Sequence, residues 1–420
     1  MSEYVSKIGN KMNKLSGVRD IMSDIQTALS DTSKNWHNLS AGNPAILPEV
    51  ANNWTSLIKE NLHTDEFINC FSRYGPSSGH PLLIDSVVEL FNSKYNFDIG
   101  KENVLITNGT QTAYFYLSNI FSGEFESGRK KILLPLSPEY TGYSGVSLLE
   151  NSFKAYKPIV EKFENQNEFK YNLNINDIKL TPEISAVMLS RPTNPSGNVV
   201  SDTELDFLVN LVKDTDIPLI IDSAYAPPFP NLCFKDIKFP FTKNTIYCFS
   251  LSKTGFPGER VGIVIGDKKY LKYLSAFHAN MSIHSSRMGQ YLAGLAIKNG
   301  SLEKLSNKVV SPYYKKKSDL FNSALKENLP SNINWYVHKA EGSLFTWLWV
   351  DHPKFNDRKF YNILKENSLL CVPGSVFFPG LDQDWDHKQQ VLRFSLGASD
   401  DVLINSTKII SKVLSKNLTD

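Results

Sequence analysis

Seven short apolar runs within residues 104–267 are the feature that most restricts what this chain can fold into. Several consist almost entirely of apolar residues, which is typical of strands covered on both faces of a sheet. Helical patterns lie between many of them; for example, Leu205, Leu208 and Val212 fall on one helix face. The alternation predicts an α/β fold with a mostly parallel central sheet of about seven strands and helices on both faces. The runs are 104–107, 131–136, 153–158, 186–189, 218–221, 246–249 and 261–265.

The two ends of the chain follow other patterns. The first part begins as a helical arm, with Ile21 and Ile25 at helical spacing. After about residue 295, a long helical stretch precedes two further strand candidates. We therefore divide the chain into an arm, 1–45, that packs with the small domain, a large domain, 46–295, and a small α+β domain, 296–420.

The composition argues against several classes of function. With 41% hydrophobic and 21% charged residues, the chain has an ordinary globular composition. The net charge is only +2 and the basic residues are dispersed, so we expect no nucleic-acid partner. No apolar run approaches the length that a membrane span needs. The four cysteines are widely spaced, which argues against a disulfide framework or a metal site. We therefore expect a cytoplasmic protein without a membrane or metal partner.

The stretch from Ser250 to Gly262 combines phosphate-binding groups with a lysine. Ser250, Ser252 and Arg260 lie at or beyond the end of a predicted strand, where such groups can hold a phosphate. A lysine such as Lys253, near other positive charge, loses its proton easily and becomes a nucleophile toward carbonyls. This combination suggests pyridoxal 5'-phosphate, an aldehyde cofactor with its own phosphate. An isolated Ser-x-Ser-Lys would more often place a solvated lysine in a surface loop.

Polar residues follow other predicted strands as well. Ligands of open α/β sheets bind at the carboxyl ends of the strands, so we expect these residues to lie together. Gly109 and Thr110 can bind a phosphate at a helix N-terminus, or simply cap the helix. Tyr140 can stack on a heteroaromatic ring, or pack in a surface loop. Asn194 can donate its amide to a phenolic oxygen, or belong to a plain turn.

Three further residues complete the set. Asp222 ends a strongly apolar strand and needs a partner there, such as a pyridinium nitrogen, unless it only caps the next segment. Tyr225 can reach the oxygen of the same ring. Arg393 lies in a short apolar strand, where a planar guanidinium can grip a carboxylate. The alternative for Arg393 is an edge strand on which the side chain faces water.

In their order along the chain, these residues resemble the fold-type I, aspartate-aminotransferase-like enzymes that use pyridoxal phosphate. The resemblance extends over nearly the whole chain. It implies that fold, that cofactor and a transamination between a small apolar L-amino acid and a 2-oxo acid, with L-valine and pyruvate as the expected pair. A different aminotransferase, a C–S lyase and a non-catalytic ligand-binding relative remain alternatives. The matching residues are Tyr74, Gly109-Thr110, Tyr140, Asn194-Pro195-x-Gly197, Asp222-x-x-Tyr225, Ser250-x-Ser252-Lys253, Gly258-x-Arg260-x-Gly262 and Arg393.

The resemblance also implies a role for each residue around the cofactor ring. Lys253 holds the cofactor covalently and is the general base. Asp222 pairs with the ring nitrogen. Asn194 and Tyr225 contact the ring oxygen, and Tyr140 stacks on the ring. The catalytic set is therefore Lys253, Asp222 and Tyr225.

Other roles implied by the resemblance concern the cofactor phosphate and the substrate. Tyr74 reaches the phosphate from the other subunit, so we expect a homodimer with shared active sites. Arg393 grips the substrate α-carboxylate, assisted by Asn194 and the backbone near Gly42. The phosphate ligands of the same subunit are Gly109, Thr110, Ser250, Ser252 and Arg260.

Two questions about substrate preference stay open at this point. Arg287 is a bulky cation where the family relative is Gly-rich, and its effect on specificity is not fixed by the sequence. Ile46, Phe345 and Phe377 are candidate walls of an apolar slot for the substrate side chain.

Overall fold

The strands predicted between residues 104 and 267 form one sheet in the computed structural model, which describes residues 4–13 and 18–418. Residues 1–3 and 14–17 of the predicted arm lie outside the described part. The strands are β1 (His37–Asn38), β2 (Val104–Asn108), β3 (Gly123–Phe125), β4 (Gly128–Leu134), β5 (Phe153–Ala155), β6 (Ile159–Phe163), β7 (Glu168–Asn172), β8 (Ile184–Ser190), β9 (Leu219–Asp222), β10 (Thr245–Ser250), β11 (Val261–Gly266), β12 (Trp335–His338), β13 (Phe345–Val350), β14 (Leu369–Leu370), β15 (Val372–Pro373) and β16 (Val391–Ser395).

Helices cover the sheets and fill the intervals between the strands. The long helical stretch predicted after residue 295 is interrupted by one π-helical turn, Ser306–Val310. The α-helices are α1 (Lys7–Asn13), α2 (Val18–Ser30), α3 (Pro48–Asn61), α4 (Asp65–Ser72), α5 (Pro81–Tyr95), α6 (Thr110–Phe121), α7 (Gly142–Val146), α8 (Asp202–Val212), α9 (Lys268–Ser282), α10 (Arg287–Lys298), α11 (Ser301–Leu305), α12 (Ser311–Asn328), α13 (Asp357–Glu366) and α14 (Asp400–Leu418).

The central sheet has eight strands in the order β2-β11-β10-β9-β8-β4-β3, and β5 pairs with β4 as well. Six of these strands run in one direction, and only β11 and β3 run in the other. Its middle strands, β9 and β10, are buried at every position. The prediction of an α/β fold with a mostly parallel sheet is confirmed. The strand beyond the expected seven is β3, whose three residues are too few to show a period.

A second sheet of six strands has the order β15-β16-β13-β12-β7-β6. Four of its strands come from the C-terminal part of the chain, but the hairpin β6–β7 comes from residues 159–172. The proposed boundary at residue 295 therefore assigns this hairpin to the large domain, although it pairs with strands of the small one.

The N-terminal residues contact the C-terminal part of the chain at several places, of which two fix the first strand and α2. Strand β1 pairs in parallel with β14. On α2, the Asp24 carboxylate accepts hydrogen bonds from the Tyr361 hydroxyl at 2.5 Å and from Lys365 Nζ at 2.8 Å, both on α13. Helix α2 is thereby held beside the second sheet. Among the described residues, no helix is long and apolar enough to cross a membrane.

Candidate active site

A cavity of about 310 Å³ lies at the carboxyl ends of β8, β9 and β10, beside the N-terminus of α6. Residues that are far apart in the sequence meet in its wall because the parallel strands end at the same edge of the sheet. Eleven of the predicted site residues line it: Gly42, Thr110, Tyr140, Asn194, Asp222, Tyr225, Ser250, Ser252, Lys253, Arg260 and Arg393. Two predicted site residues do not line the cavity: Gly109 lies against the Arg260 guanidinium, and Tyr74 lies on the surface.

Asp222 ends β9 and is held in one orientation by two hydrogen bonds. Its Oδ2 accepts from the Tyr143 hydroxyl at 2.8 Å, and its Oδ1 accepts from the backbone N–H of Ala224 at 3.0 Å. Burial raises the pKa of the Asp222 carboxyl, while these donors and the charge of Lys253 oppose the rise. A carboxylate so placed suits a cationic partner in the cavity. Sequence reasoning gave no role to Tyr143.

Lys253 lies in a single 3₁₀ turn, Ser252–Thr254, directly after β10. Its Nζ donates to the backbone oxygen of Gly42 at 2.6 Å. Burial lowers the pKa of the Lys253 amine to about 8, and the nearby guanidinium groups of Arg393 and Arg260 contribute to the lowering. The amine is therefore partly neutral close to neutral pH, which is the form that attacks carbonyls and accepts protons. The alternative of a solvated surface lysine is excluded.

This lowered pKa predicts the pH dependence of aldehyde capture by the cofactor-free protein. Because only the neutral amine reacts, the capture rate of pyridoxal phosphate should rise through pH about 8 and level above it. An ordinary lysine, with a pKa of about 10.4, would give a rate that still climbs at pH about 10. Stopped-flow absorbance over this pH range measures the rate. A rise that continues beyond pH about 10 would contradict the lowered pKa.

An anion-binding corner lies beside the lysine. The Arg260 guanidinium donates to Ser252 Oγ at 3.3 Å and to the backbone oxygen of Pro257 at 3.4 Å. Gly109, with φ of 77°, precedes Thr110 at the N-terminus of α6; a Cβ there would lie 2.2 Å from Arg260 Nη2. Glycine therefore lets the guanidinium lie against the start of the helix. Backbone N–H groups, hydroxyls and a guanidinium together form a donor set that suits a phosphate.

Arg393 is a buried cation that also lines the cavity. It lies on β16 between β13 and β15, and 5% of it is exposed, which excludes the alternative of an edge-strand arginine facing water. Its Nη1 donates to Asn194 Oδ1 at 2.9 Å and its Nη2 to the backbone oxygen of Ser40 at 3.1 Å. Its Nε has no partner within the described residues. Burial lowers the pKa of Arg393 to about 10, so the group stays charged at neutral pH and suits a carboxylate ligand.

Aromatic rings surround these charged groups. Phe345 and Phe377 lie on the Arg393 guanidinium, with centroids 4.0 and 4.9 Å from its central carbon. The Tyr140 hydroxyl donates to Gln111 Oε1 at 3.2 Å, a contact that sequence reasoning missed. Burial raises the pKa of the Tyr225 phenol, which keeps its proton available for donation.

Ile46 and Arg287, which the sequence analysis connected with substrate preference, both lie outside the cavity wall. Ile46, a candidate wall, is 91% exposed and does not line the cavity, because it lies in the loop before α3. Arg287 does not line the cavity either: its Nη1 donates to the backbone oxygens of Asn69 and Arg73, at the C-terminus of α4. Its positive charge therefore complements the negative end of that helix.

The fold and the arrangement of these side chains define an enzyme that handles amino groups and carboxylates of small substrates. Comparison with known proteins identifies the family of this enzyme. Residues 34–404 match the model of the aminotransferase class I and II family, and the chain belongs to that family. It is an aminotransferase.

Several proteins resemble the chain over most of its length. It is 33% identical over 412 residues to the valine–pyruvate aminotransferase of Escherichia coli (strain K12), covering 98% of each chain. The structure of valine–pyruvate aminotransferase from Salmonella typhimurium LT2 superposes with a TM-score of 0.84 at 31% identity, covering 94% of this chain and 99% of that one. A protein of Psychrobacter arcticum 273-4 assigned as an amino-acid aminotransferase gives a TM-score of 0.94 at 35% identity, covering 99% of both chains.

Proposed function

We propose that this aminotransferase uses pyridoxal 5'-phosphate to exchange an amino group between L-valine and pyruvate, giving 3-methyl-2-oxobutanoate and L-alanine. The observation that carries the proposal is that Lys253, Asp222 and Arg393 all line one cavity, where Asp222 and Arg393 are buried and Lys253 is half-buried. The similarity to valine–pyruvate aminotransferases supports the choice of substrates.

The residues present fit this cofactor at both of its ends. The anion-binding corner formed by Thr110, Ser250, Ser252 and Arg260 would hold the phosphate, and Asp222 would hold a proton at the ring nitrogen. Tyr140 would stack on the ring, while Asn194 and Tyr225 would donate to its oxygen. When bound, pyridoxal phosphate supplies an aldehyde and a ring that accepts electrons from the substrate.

The substrate end of the site follows from Arg393. Its guanidinium, with the Asn194 side chain beside it, would bind the α-carboxylate through paired donors. This contact would place the α-carbon near Lys253. In the first half of the exchange its neutral amine would take the α-proton onto Nζ and pass it to the aldehyde carbon of the cofactor; in the second half it would move a proton from that carbon to the α-carbon of the new amino acid. Because Arg393 would hold the carboxylate, the α-proton would be presented to Lys253 in a fixed orientation.

The apolar part of the cavity wall suits an aliphatic side chain. Met22, from α2, and Phe345 both line the cavity. Met22 is half-buried, and its helix is held by the hydrogen bonds of Asp24. We propose that Met22 and Phe345 bound the slot for the substrate side chain. A flexible thioether can adapt to the branched side chain of valine.

Replacing Met22 by alanine should change substrate preference. The enlarged slot should lower kcat/KM for valine by about 10-fold and raise the ratio for leucine against valine, because one or two methylenes alter discrimination by this order. Initial rates with a series of aliphatic amino acids measure the ratios. Leu29→Ala, on the same helix but 38% exposed, is the matched control and should leave them unchanged. Unchanged ratios in Met22→Ala would show that the slot lies elsewhere.

We propose further that the enzyme is a cytoplasmic homodimer. Tyr74 is 82% exposed and its ring lies edge-on to His284, at the surface instead of in the cavity of its own chain. Other large apolar side chains beside it, such as Phe71 and Ile283, are exposed as well. A second copy that covers this patch could receive Tyr74 at its cofactor phosphate. The four free cysteines suit a reducing compartment.

The test of the proposed function separates the two halves of the exchange. Purified enzyme loaded with pyridoxal phosphate is mixed with valine alone, and the cofactor absorption band is followed. We expect the band to shift, 3-methyl-2-oxobutanoate to be released, and later addition of pyruvate to restore the band and yield alanine. A band that responds to glutamate or aspartate but not to valine would contradict the substrate assignment. Ammonia released without any oxo-acid acceptor would point to a lyase instead.

A further inference from the structure

Glu139 is a buried carboxylic acid behind the wall of the cavity, and the proposed chemistry does not use it. The side chain is 0% exposed and does not line the cavity, whereas its neighbours Tyr140 and Ser190 do. Burial raises the pKa of the Glu139 carboxyl to about 8. A carboxyl group is costly to bury unless hydrogen bonds satisfy its oxygens. The hydrogen bonds of the Glu139 carboxyl therefore indicate which parts of the site it connects.

The Glu139 carboxyl joins two loops of the site. Its Oε1 accepts from the backbone N–H of Ser190 at 2.8 Å, and its Oε2 accepts from the Ser190 hydroxyl at 2.5 Å. The same Oε2 accepts from the backbone N–H of Tyr140 at 3.2 Å. Ser190 ends β8, four residues before Asn194. The Glu139 side chain therefore connects Tyr140 to the end of β8, from which the chain continues to Asn194.

The backbone of Glu139 adds a third connection. Its N–H donates to the backbone oxygen of Phe377 at 2.8 Å. The Phe377 ring in turn lies on the guanidinium of Arg393. The segment that covers the carboxylate-binding arginine is therefore anchored to the same residue.

We propose that Glu139 is a positioning residue of the transamination site, whose carboxyl group fixes Tyr140 and the Ser190–Asn194 segment relative to each other before ligands bind. The proposal rests on the proposed stacking of Tyr140 on the cofactor ring. If the two loops were not joined, part of the binding energy would be lost in ordering them when the cofactor enters. Glu139 thus acts through Tyr140 and not on the reacting atoms.

A double-mutant cycle on cofactor affinity tests this dependence. Cofactor-free wild type, Glu139→Ala, Tyr140→Ala and the double variant are titrated with pyridoxal phosphate, and the dissociation constants are compared. We expect Glu139→Ala to weaken binding by about 10-fold, the order expected when loop side chains must be ordered as the ligand binds. We also expect the two effects not to multiply, because residues that act through one contact are not additive. Fold-changes that multiply, or an affinity unchanged in Glu139→Ala, would overturn the proposal.

The controls separate positioning from general destabilisation. Glu204 is also a buried carboxylate that accepts from backbone N–H groups, those of Leu173 and Ser201, but it does not line or border the cavity. Glu204→Ala should lower the melting temperature while its effect on cofactor affinity multiplies with that of Tyr140→Ala. If Glu139→Ala does not fold, the cycle is run with Glu139→Gln, whose side chain has the same size and shape. The effects of Glu139→Gln and Tyr140→Ala on the dissociation constant must again fail to multiply. Wild type that binds no pyridoxal phosphate would overturn both this proposal and the proposed function.

Discussion

Replacing Lys253 by alanine should lower kcat for transamination by at least about 10³-fold, since general bases contribute about 10²–10⁴-fold and the covalent anchor is lost as well. The Lys253 amine has a pKa lowered to about 8, and no other lysine lines the cavity within the described residues. Steady-state rates with valine and pyruvate, together with the cofactor content of the purified variant, measure the loss.

Lys253→Arg is the matched control for charge. Arginine keeps the positive charge of the site but cannot become neutral near pH 8, so this variant should be as inactive as Lys253→Ala. Recovery of activity in Lys253→Arg would show that the position contributes charge alone. Full activity in Lys253→Ala would remove Lys253 from the mechanism.

Replacing Asp222 by alanine should lower kcat/KM by about 10²–10³-fold, the range seen when one electrostatic contact to a transition state is removed. The carboxylate is 5% exposed and is the buried acid that ends β9 at the cavity. Without it, the proton at the cofactor ring nitrogen loses its partner, and the ring accepts electrons less readily. Rates and the pH dependence of the cofactor absorption band report the effect.

Tyr143→Phe provides the graded comparison for Asp222. It removes the hydroxyl that donates to Oδ2 at 2.8 Å but keeps the carboxylate. We expect a loss of about 10-fold, because a hydrogen bond to a charged group contributes about 1.5–3 kcal/mol. A loss in Tyr143→Phe as large as in Asp222→Ala would mean that the hydroxyl, and not the carboxylate, carries the effect.

Periodicity and strand-end position were enough to predict much of this molecule from sequence. The continuous apolar runs of β9 and β10 identify buried parallel strands, and the polar residues Asp222 and Ser250 stand at their ends, where the topology brings them together. The edge hairpin β6–β7 gave no such signal, since every residue of β6 is exposed or half-buried. Its place in the second sheet depends on long-range pairing with β12.

Residues that act through hydrogen bonds were harder to find than those that carry charge into the cavity. Tyr143 lies close behind Tyr140 in the sequence and Glu139 directly precedes it, but the sequence analysis gave neither a role. Their partners, Asp222 and Ser190, are 79 and 51 residues away in the sequence. A tyrosine next to a loop has many partners available to it, and only the folded chain selects one. The charge of Arg287 was noticed in the sequence, but its contacts with Asn69 and Arg73 could not be predicted, because these residues are far from it along the chain.

Borohydride reduction of the purified, cofactor-loaded enzyme, followed by digestion and peptide mapping by mass spectrometry, tests the role of Lys253 most directly. We expect the mass of the reduced pyridoxyl phosphate group on the peptide that contains Lys253, and on no other. A protein that remains unlabelled, or that carries the label on a different lysine, would contradict the assignment of Lys253 as the residue that binds the cofactor.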